Sequence, residues 1–227
     1  FSIIRFLYNG WAADLYLKPD FHFSYYGFEW VQAFGPWGMY TLYALMILSS
    51  LSVALGLYYR FGAVVFFTAF TYVELIDKTY YLNHYYFISL VAFILIFLPA
   101  HRYCSLDVLR RPSLKLQQVP VWTINILRFQ LAIVYLSAGV AKLNPDWLFR
   151  AMPMKTWLAA HMHWPVIGSL LAKPWVAFVG SWFGAFYDLS IVFIFLVKRL
   201  RWFGYFLVVV FHGLTAVLFQ IGMFPYI

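Results

Sequence analysis

From Trp37 to Tyr58 the chain carries no charged residue. That stretch restricts the fold more than anything else in the sequence. About 20 consecutive apolar residues are what an α-helix needs to cross a hydrocarbon core about 30 Å thick. Further stretches of the same kind follow. A tight turn at Tyr59-Arg60 leads into a second at about Phe61–Ile76, then come His84–Ala100, Val121–Lys142, Trp175–Val197 and Trp202–Ile227. They are long and continuously apolar, without the period-two alternation of a barrel strand, so helices are expected. The expected fold class is an all-α integral membrane protein, a polytopic bundle of about six to seven membrane helices. Phe1–Leu17 is apolar but carries Arg5 and Asp14. It reads either as the end of a truncated span or as a helix lying in the membrane interface.

Composition excludes the soluble alternative. Apolar residues make up 64% of the chain and charged residues 11%, against about 45–50% and about 25% in soluble domains. So few charges cannot cover the surface of a soluble domain of this size. Aromatics at 23% fit wide belts at the membrane–water interfaces. The formal net charge is +8, which in a soluble protein would raise the question of nucleic acid. Here the basic residues sit between apolar runs and sort by side. Loops around Arg60, Arg102–Lys115 and Lys198–Arg201 sum to +7, the alternate loops sum to zero, and Lys142, Arg128 and Asp188 supply the remaining +1. The excess therefore sets orientation, and no nucleic-acid partner is expected. The positive-inside rule puts the basic loops in the cytoplasm, so Asp77–Asn83 and Asn144–Lys173 face the periplasm or a lumen. The lone Cys104 permits no intrachain disulfide and no thiolate metal site. A start at Phe1 and an end inside an apolar stretch read as a piece of a longer polypeptide.

Ionisable groups inside spans are costly and are functional candidates by default. Lys142 closes the fourth span and His84 opens the third, both on the non-cytoplasmic side. Lys142 reads either as a snorkelling residue reaching the headgroups or as a desolvated amine able to act as a base. Ser137, Ala138 and Gly139 just before it permit the close helix packing that would bury it. His84 alone reads as an interface histidine. With Asn83 beside it and an amine on the same side, a polar site is the sharper reading. Arg128 and Asp188 are expected to form a buried structural ion pair, and His161-Met-His163 to be loop surface without a metal. An outward-facing polar pocket walled by aromatics suits a flat apolar ligand with polar ends, such as a quinone, and equally a lipid.

The order and spacing of several blocks resemble a known family. These are Asp77-Lys-Thr-x-x-x-Asn-His84, Arg128-x-Gln130-x-x-x-Val134-Tyr135, Ala138-Gly-Val-x-Lys142-Leu-x-x-Asp146-Trp147 and Leu218-Phe-x-Ile-Gly-Met-Phe224. They look like the integral-membrane half of vitamin K-dependent γ-glutamyl carboxylase. Bacterial members of that horizontally transferred transmembrane (HTTM) family are more similar still, in Lys18-Pro-x-Phe-His-Phe-x-Tyr-x-Gly-Phe-Glu-Trp30 and Phe97-Leu-Pro-Ala-His-Arg102. The resemblance implies a single HTTM-type domain over residues 1–227 in a bacterial inner membrane, with the active site facing the periplasm or lumen. It implies an enzyme, a carboxy-lyase coupled to epoxidation of vitamin K hydroquinone or a menaquinol, with oxygen and carbon dioxide as co-substrates. Lys142 would be the base that deprotonates the hydroquinone, assisted by His84 and Asn83. Tyr135, His212, Gly222, Met223 and Phe224 would lie near the naphthoquinone. The implied partners are membrane lipid, the quinol and a secreted glutamate-containing protein. Animal enzymes carry two consecutive lysines where this chain has Ala141-Lys142, and a second asparagine where Leu82 stands. The soluble region that follows the bundle in the carboxylase is not within these residues. The alternative is a quinone- or lipid-binding membrane module without catalysis, assisting maturation of a secreted partner.

Overall fold

The computed structural model describes residues 2–219. All regular structure among them is helical. Helices α1 (Ser2–Tyr8), α2 (Trp11–Tyr16), α3 (Pro36–Leu55), α4 (Tyr59–Ile76), α5 (Asn83–Phe97) and α6 (Leu106–Arg110) precede α7 (Val121–Ala141). Three short helices follow, α8 (Pro145–Phe149), α9 (Met154–Ala159) and α10 (Gly168–Leu171), and then α11 (Pro174–Leu196) and α12 (Arg201–Leu218). Five helices, α3, α4, α7, α11 and α12 with its leading turn, are long and apolar enough to cross a membrane, as in an integral membrane protein. α5 is apolar but shorter, at 15 residues. The chain forms two compact units, residues 1–127 and 128–227.

In the first unit the start of α4 is built from distant parts. α3 begins with Pro36 at its first turn, where a missing N–H costs nothing, and ends at Gly56 in the left-handed region with φ 60°. A Cβ on Gly56 would collide with the Cβ of Ser105, so the turn admits only glycine. The next two free backbone N–H groups, of Tyr58 and Tyr59, donate to the two carboxylate oxygens of Asp107 at 2.9 and 3.1 Å. A carboxylate there satisfies orphan donors and complements the positive end of the helix. Ser105 caps α6 by accepting from Val108 N–H, and Arg110 donates to the Tyr58 hydroxyl at 2.8 Å. The chain after α5 is thereby returned to the end where α4 began. Burial alone would raise the Asp107 carboxyl, but the bonds from Tyr59 and Tyr58, with the charges of His101 and Arg110, outweigh it and hold it below the usual carboxylate range.

The other end of α4 is tied by Asp77. Its carboxylate accepts from the Thr79 N–H at 2.9 Å and the Thr79 hydroxyl at 2.7 Å, and meets His22 Nδ1 at 3.2 Å. Lys78 N–H donates to Phe23 O, which fixes the extended segment before α3 against the α4–α5 connection. The Asp77-Lys-Thr block is therefore a structural clasp. Between the ends, Met39, Tyr43, Met46, Phe70, Val73 and Ile76 are buried, with Phe6 stacked on Tyr43 at 5.6 Å. Within a bilayer this burial contributes through close packing, because lipid tails are as apolar as the side chains they replace.

Three expectations change. Residues 2–17 are broken at Gly10, φ 73°, into helices of 7 and 6 residues, about 10 Å each at 1.5 Å per residue and too short to cross. Glu74, one of the charges that bring the sum of the alternate loops to zero, lies inside α4 and not in a loop. The Asn144–Lys173 stretch is no open loop. Its helices fold along the first half of α11, with Ala151, Met154, Leu158 and Ala177 buried together. Trp147 Nε1 donates to Ser181 O at 2.6 Å and Trp182 Nε1 to Leu148 O at 2.8 Å. α11 and α12 form a hairpin about the turn Lys198–Leu200, with Tyr187 stacked on Phe211 at 4.0 Å.

Candidate functional site in the second unit

α11 places small or polar residues at Ala177, Ser181, Gly184 and Asp188, and then Ile191, all buried. Alternating spacings of three and four put them on one helix face. Asp188 lies 14 residues after Pro174, about 21 Å along the helix at 1.5 Å per residue. On α7, Tyr135 and Gly139 share a face by the same spacing, and Lys142, just past its end, continues the series. Gly139 is where α7 meets α11 closely, since a Cβ there would lie 2.7 Å from the Leu189 side chain. That contact brings the end of α7 against Asp188.

Lys142 follows the last residue of α7, and its amine donates to Asp188 Oδ2 at 2.6 Å and to Ala138 O at 3.2 Å. The carboxylate side chain is 4% exposed and the lysine 20%. The ammonium lies 5.3 Å from the centre of the Trp147 ring, and a Cβ on Gly184 would touch both that ring and Lys142 Cε. Asn144 ends the tight exit from α7 by capping α8, accepting from Trp147 N–H at 2.9 Å, and this holds the indole over the amine. Beside the pair, the Tyr135 hydroxyl and His212 Nε2 are 3.0 Å apart. Tyr135 meets the edge of Tyr187 at 5.9 Å, so Tyr135, Tyr187 and Phe211 make an aromatic wall next to an amine, a carboxylate and a phenol–imidazole pair. The Ser181 hydroxyl, fully buried, makes no hydrogen bond among the described residues.

The expected site residues divide accordingly. Lys142, Tyr135 and His212 come together in the second unit. Asn83 and His84 head α5 in the first unit, where Asn83 is exposed, His84 half-buried, and the His84 ring edge-on to Tyr85 at 4.6 Å. Gly222, Met223 and Phe224 lie outside the described residues. The expected Arg128–Asp188 pair is replaced, because the Asp188 carboxylate takes Lys142. Asp188, Trp147 and Gly184 had not been counted in the site. The small-residue spacing on α11 and an acid deep within a span were the signals that mark them. His161 closes its own turn, with Nδ1 3.0 Å from Trp157 O, and among the described residues no group of three His, Cys, Asp or Glu side chains is placed to hold a metal.

The site combines a carboxylate and an amine sharing one short contact, a phenol beside an imidazole, and a set of packed aromatic rings. No solved structure matches the chain. A family model, the HTTM domain, matches residues 1–227, and the chain belongs to the HTTM domain family.

Proposed function

We propose that this chain is the membrane part of a vitamin K-dependent carboxylase-type enzyme, in which Lys142 takes the hydroxyl proton of a bound naphthoquinol. HTTM domains are associated with the membrane domains of vitamin K-dependent carboxylases, and the ordered motif blocks run in the same direction. The observation that carries the reading is the Lys142 amine held 2.6 Å from the nearly buried Asp188 within an apolar helix. The residues fit a quinol in chemistry. The partly exposed rings of Tyr135, Phe211 and Trp147 offer apolar surface to a naphthalene ring, while the amine and the Tyr135–His212 pair offer partners to its oxygens. A deprotonated vitamin K hydroquinone, on reacting with oxygen, supplies the strong base that removes a glutamate γ-proton so that carbon dioxide can add, and ends as the epoxide.

The chain's own contribution is the proton transfer and the exclusion of water. Asp188 is 4% exposed, and in so dry a site the electrostatic interactions of the pair are stronger than in water. Water exclusion also keeps a strong base from being quenched before it meets its substrate. Tyr135 and His212 are assigned to orienting the quinol. Asn83 and His84 are assigned the supporting role that the resemblance implies. Gly222, Met223 and Phe224 are retained as quinone contacts on the same basis. In this reading α5 is a sixth crossing, because it leads the chain back to the Asp107 that caps the start of α4. The basic segments then share the cytoplasmic side, and the loops carrying Asp77 and Asp146 face the periplasm of a bacterial inner membrane.

A second reading is favoured by the same ion pair. A closed Lys142–Asp188 contact is also a structural device, and the chain would then bind a quinone or lipid without turning it over while assisting a secreted partner. Purified protein in lipid nanodiscs, given vitamin K hydroquinone, oxygen, bicarbonate and a glutamate-containing peptide, separates the two. Epoxide together with γ-carboxyglutamate supports the carboxylase reading, and epoxide alone supports quinol oxidation without the peptide reaction. Quinone binding with neither product refutes both in favour of the module.

A further inference from the structure

We propose that Asp188 is where the quinol's proton comes to rest, so that the base is the Lys142–Asp188 pair acting together rather than the amine alone. The inference rests on the quinol reading above. A paired ammonium has no vacant position for a proton. Lys142 accepts one only by giving one up, and the structure supplies a single close destination, the Asp188 oxygen at 2.6 Å. Asp188 is the one acidic residue in α7, α11 and α12, and its side chain is only 4% exposed. The other groups at the site are poorer recipients. Tyr135 and His212 are already bonded to each other, and Tyr187 and Ser181 carry hydroxyls.

The step balances locally. Lys142 passes one N–H proton to Asp188 as it takes the hydroxyl proton of the quinol. The quinol O–H bond breaks with its electron pair left on oxygen, an O–H bond forms on the carboxylate, and the lysine ends with three protons as it began. The pair changes from net neutral to one positive charge, beside the one negative charge left on the quinol oxygen. No oxidant is consumed in this step. In a dry site a charge created next to its counter-charge costs far less than an isolated one. Asp188 therefore acts through Lys142 and need not touch the quinol.

The test is infrared difference spectroscopy on the protein in nanodiscs, with vitamin K hydroquinone added under argon so that no turnover follows. Binding is read separately by quenching of tryptophan emission, since Trp147 lies over the amine. The expected result is a new protonated-carboxyl band in the wild type, shifted in Asp188→Glu and absent in Asp188→Asn although quenching persists. In air, Asp188→Asn loses epoxidation by at least about 100-fold, the scale of general acid–base contributions, and Asp188→Glu restores part of it. Quenching without the band in the wild type, or a band that survives in Asp188→Asn, overturns the inference and leaves the quinol reading standing. Absence of quenching in the wild type overturns the quinol reading and the pair's role with it.

Discussion

Replacing Lys142 by methionine keeps an unbranched stem one atom shorter and removes the charge, and the consequence follows from the asymmetry of the pair. At 2.6 Å the gross attraction between unit charges is about 6 kcal/mol at an effective dielectric of about 20. Desolvation of each ion costs several kcal/mol, so the intact pair is close to neutral against an apolar substitute, whereas breaking it costs about 3–5 kcal/mol. The two single variants are not equivalent. Lys142→Met leaves a carboxylate that is 4% exposed without its partner, whereas Asp188→Leu leaves an amine that is 20% exposed and still bonded to Ala138 O. Lys142→Met is therefore expected to lose about 3–5 kcal/mol, at the full cost of a broken pair. Asp188→Leu is expected to lose about 1–3 kcal/mol, the scale of one under-satisfied polar group. The double variant should return to within about 1–2 kcal/mol of the wild type, because both charges are gone. Unfolding in mixed micelles of dodecyl maltoside with increasing sodium dodecyl sulfate, followed by tryptophan emission, reads all four corners of the cycle. A double variant as unstable as the sum of the singles would refute the pairing.

The first unit gives three further tests. Gly56→Ala requires a left-handed alanine and displaces Ser105, so it should lose at least about 2 kcal/mol; the same micelle titration reads it, and an unaffected variant contradicts the turn. Leu82 stands at the N-cap of α5 in extended geometry with no side-chain cap, so Leu82→Asn should gain about 1 kcal/mol, and a loss would show that the leucine packs where no cap is needed. His101, buried and stacked on Tyr59 at 4.8 Å, is held below the ordinary imidazole range by burial and by the charges of Arg102 and Arg60, with Asp107 opposing. Its folded state prefers the neutral ring. Its contribution is thus fully present above the unfolded value of about 6.5 and is lost as pH falls from there through the folded value. Thermal unfolding should therefore weaken more between pH 7.5 and about 5.5 in the wild type than in His101→Gln, and parallel curves would rule His101 out as the cause.

The membrane helices were legible because each is fixed by a local property, an apolar run bounded by Pro, Gly or charge. Gly35-Pro36 and Lys173-Pro174 mark starts, whereas the turn expected at Tyr59-Arg60 falls earlier, after the left-handed Gly56, because Tyr59 and Arg60 already open α4. What the sequence hid depends on contacts far apart in the chain. Asp107 reads as a loop charge until it is found capping a helix 48 residues earlier. Asn144–Lys173 reads as a polar connection because its helices are too short to show a period, yet two indole N–H groups dock it on α11. Lys142 was singled out from its position at a span end, and its resemblance block named it. The sequence pairs Asp188 with Arg128 and the structure pairs it with Lys142, because spans give depth along a helix but not the face that meets a neighbour. The face was written in the spacing of Ala177, Ser181, Gly184 and Asp188.

The most direct test of the central claim is hydroquinone oxidation by the purified protein in nanodiscs, with Lys142→Ala beside the wild type at equal folded amounts. The account predicts vitamin K epoxide from the wild type and a loss of at least about 100-fold in Lys142→Ala, with quinone binding kept. Epoxide formed equally by both proteins would contradict it.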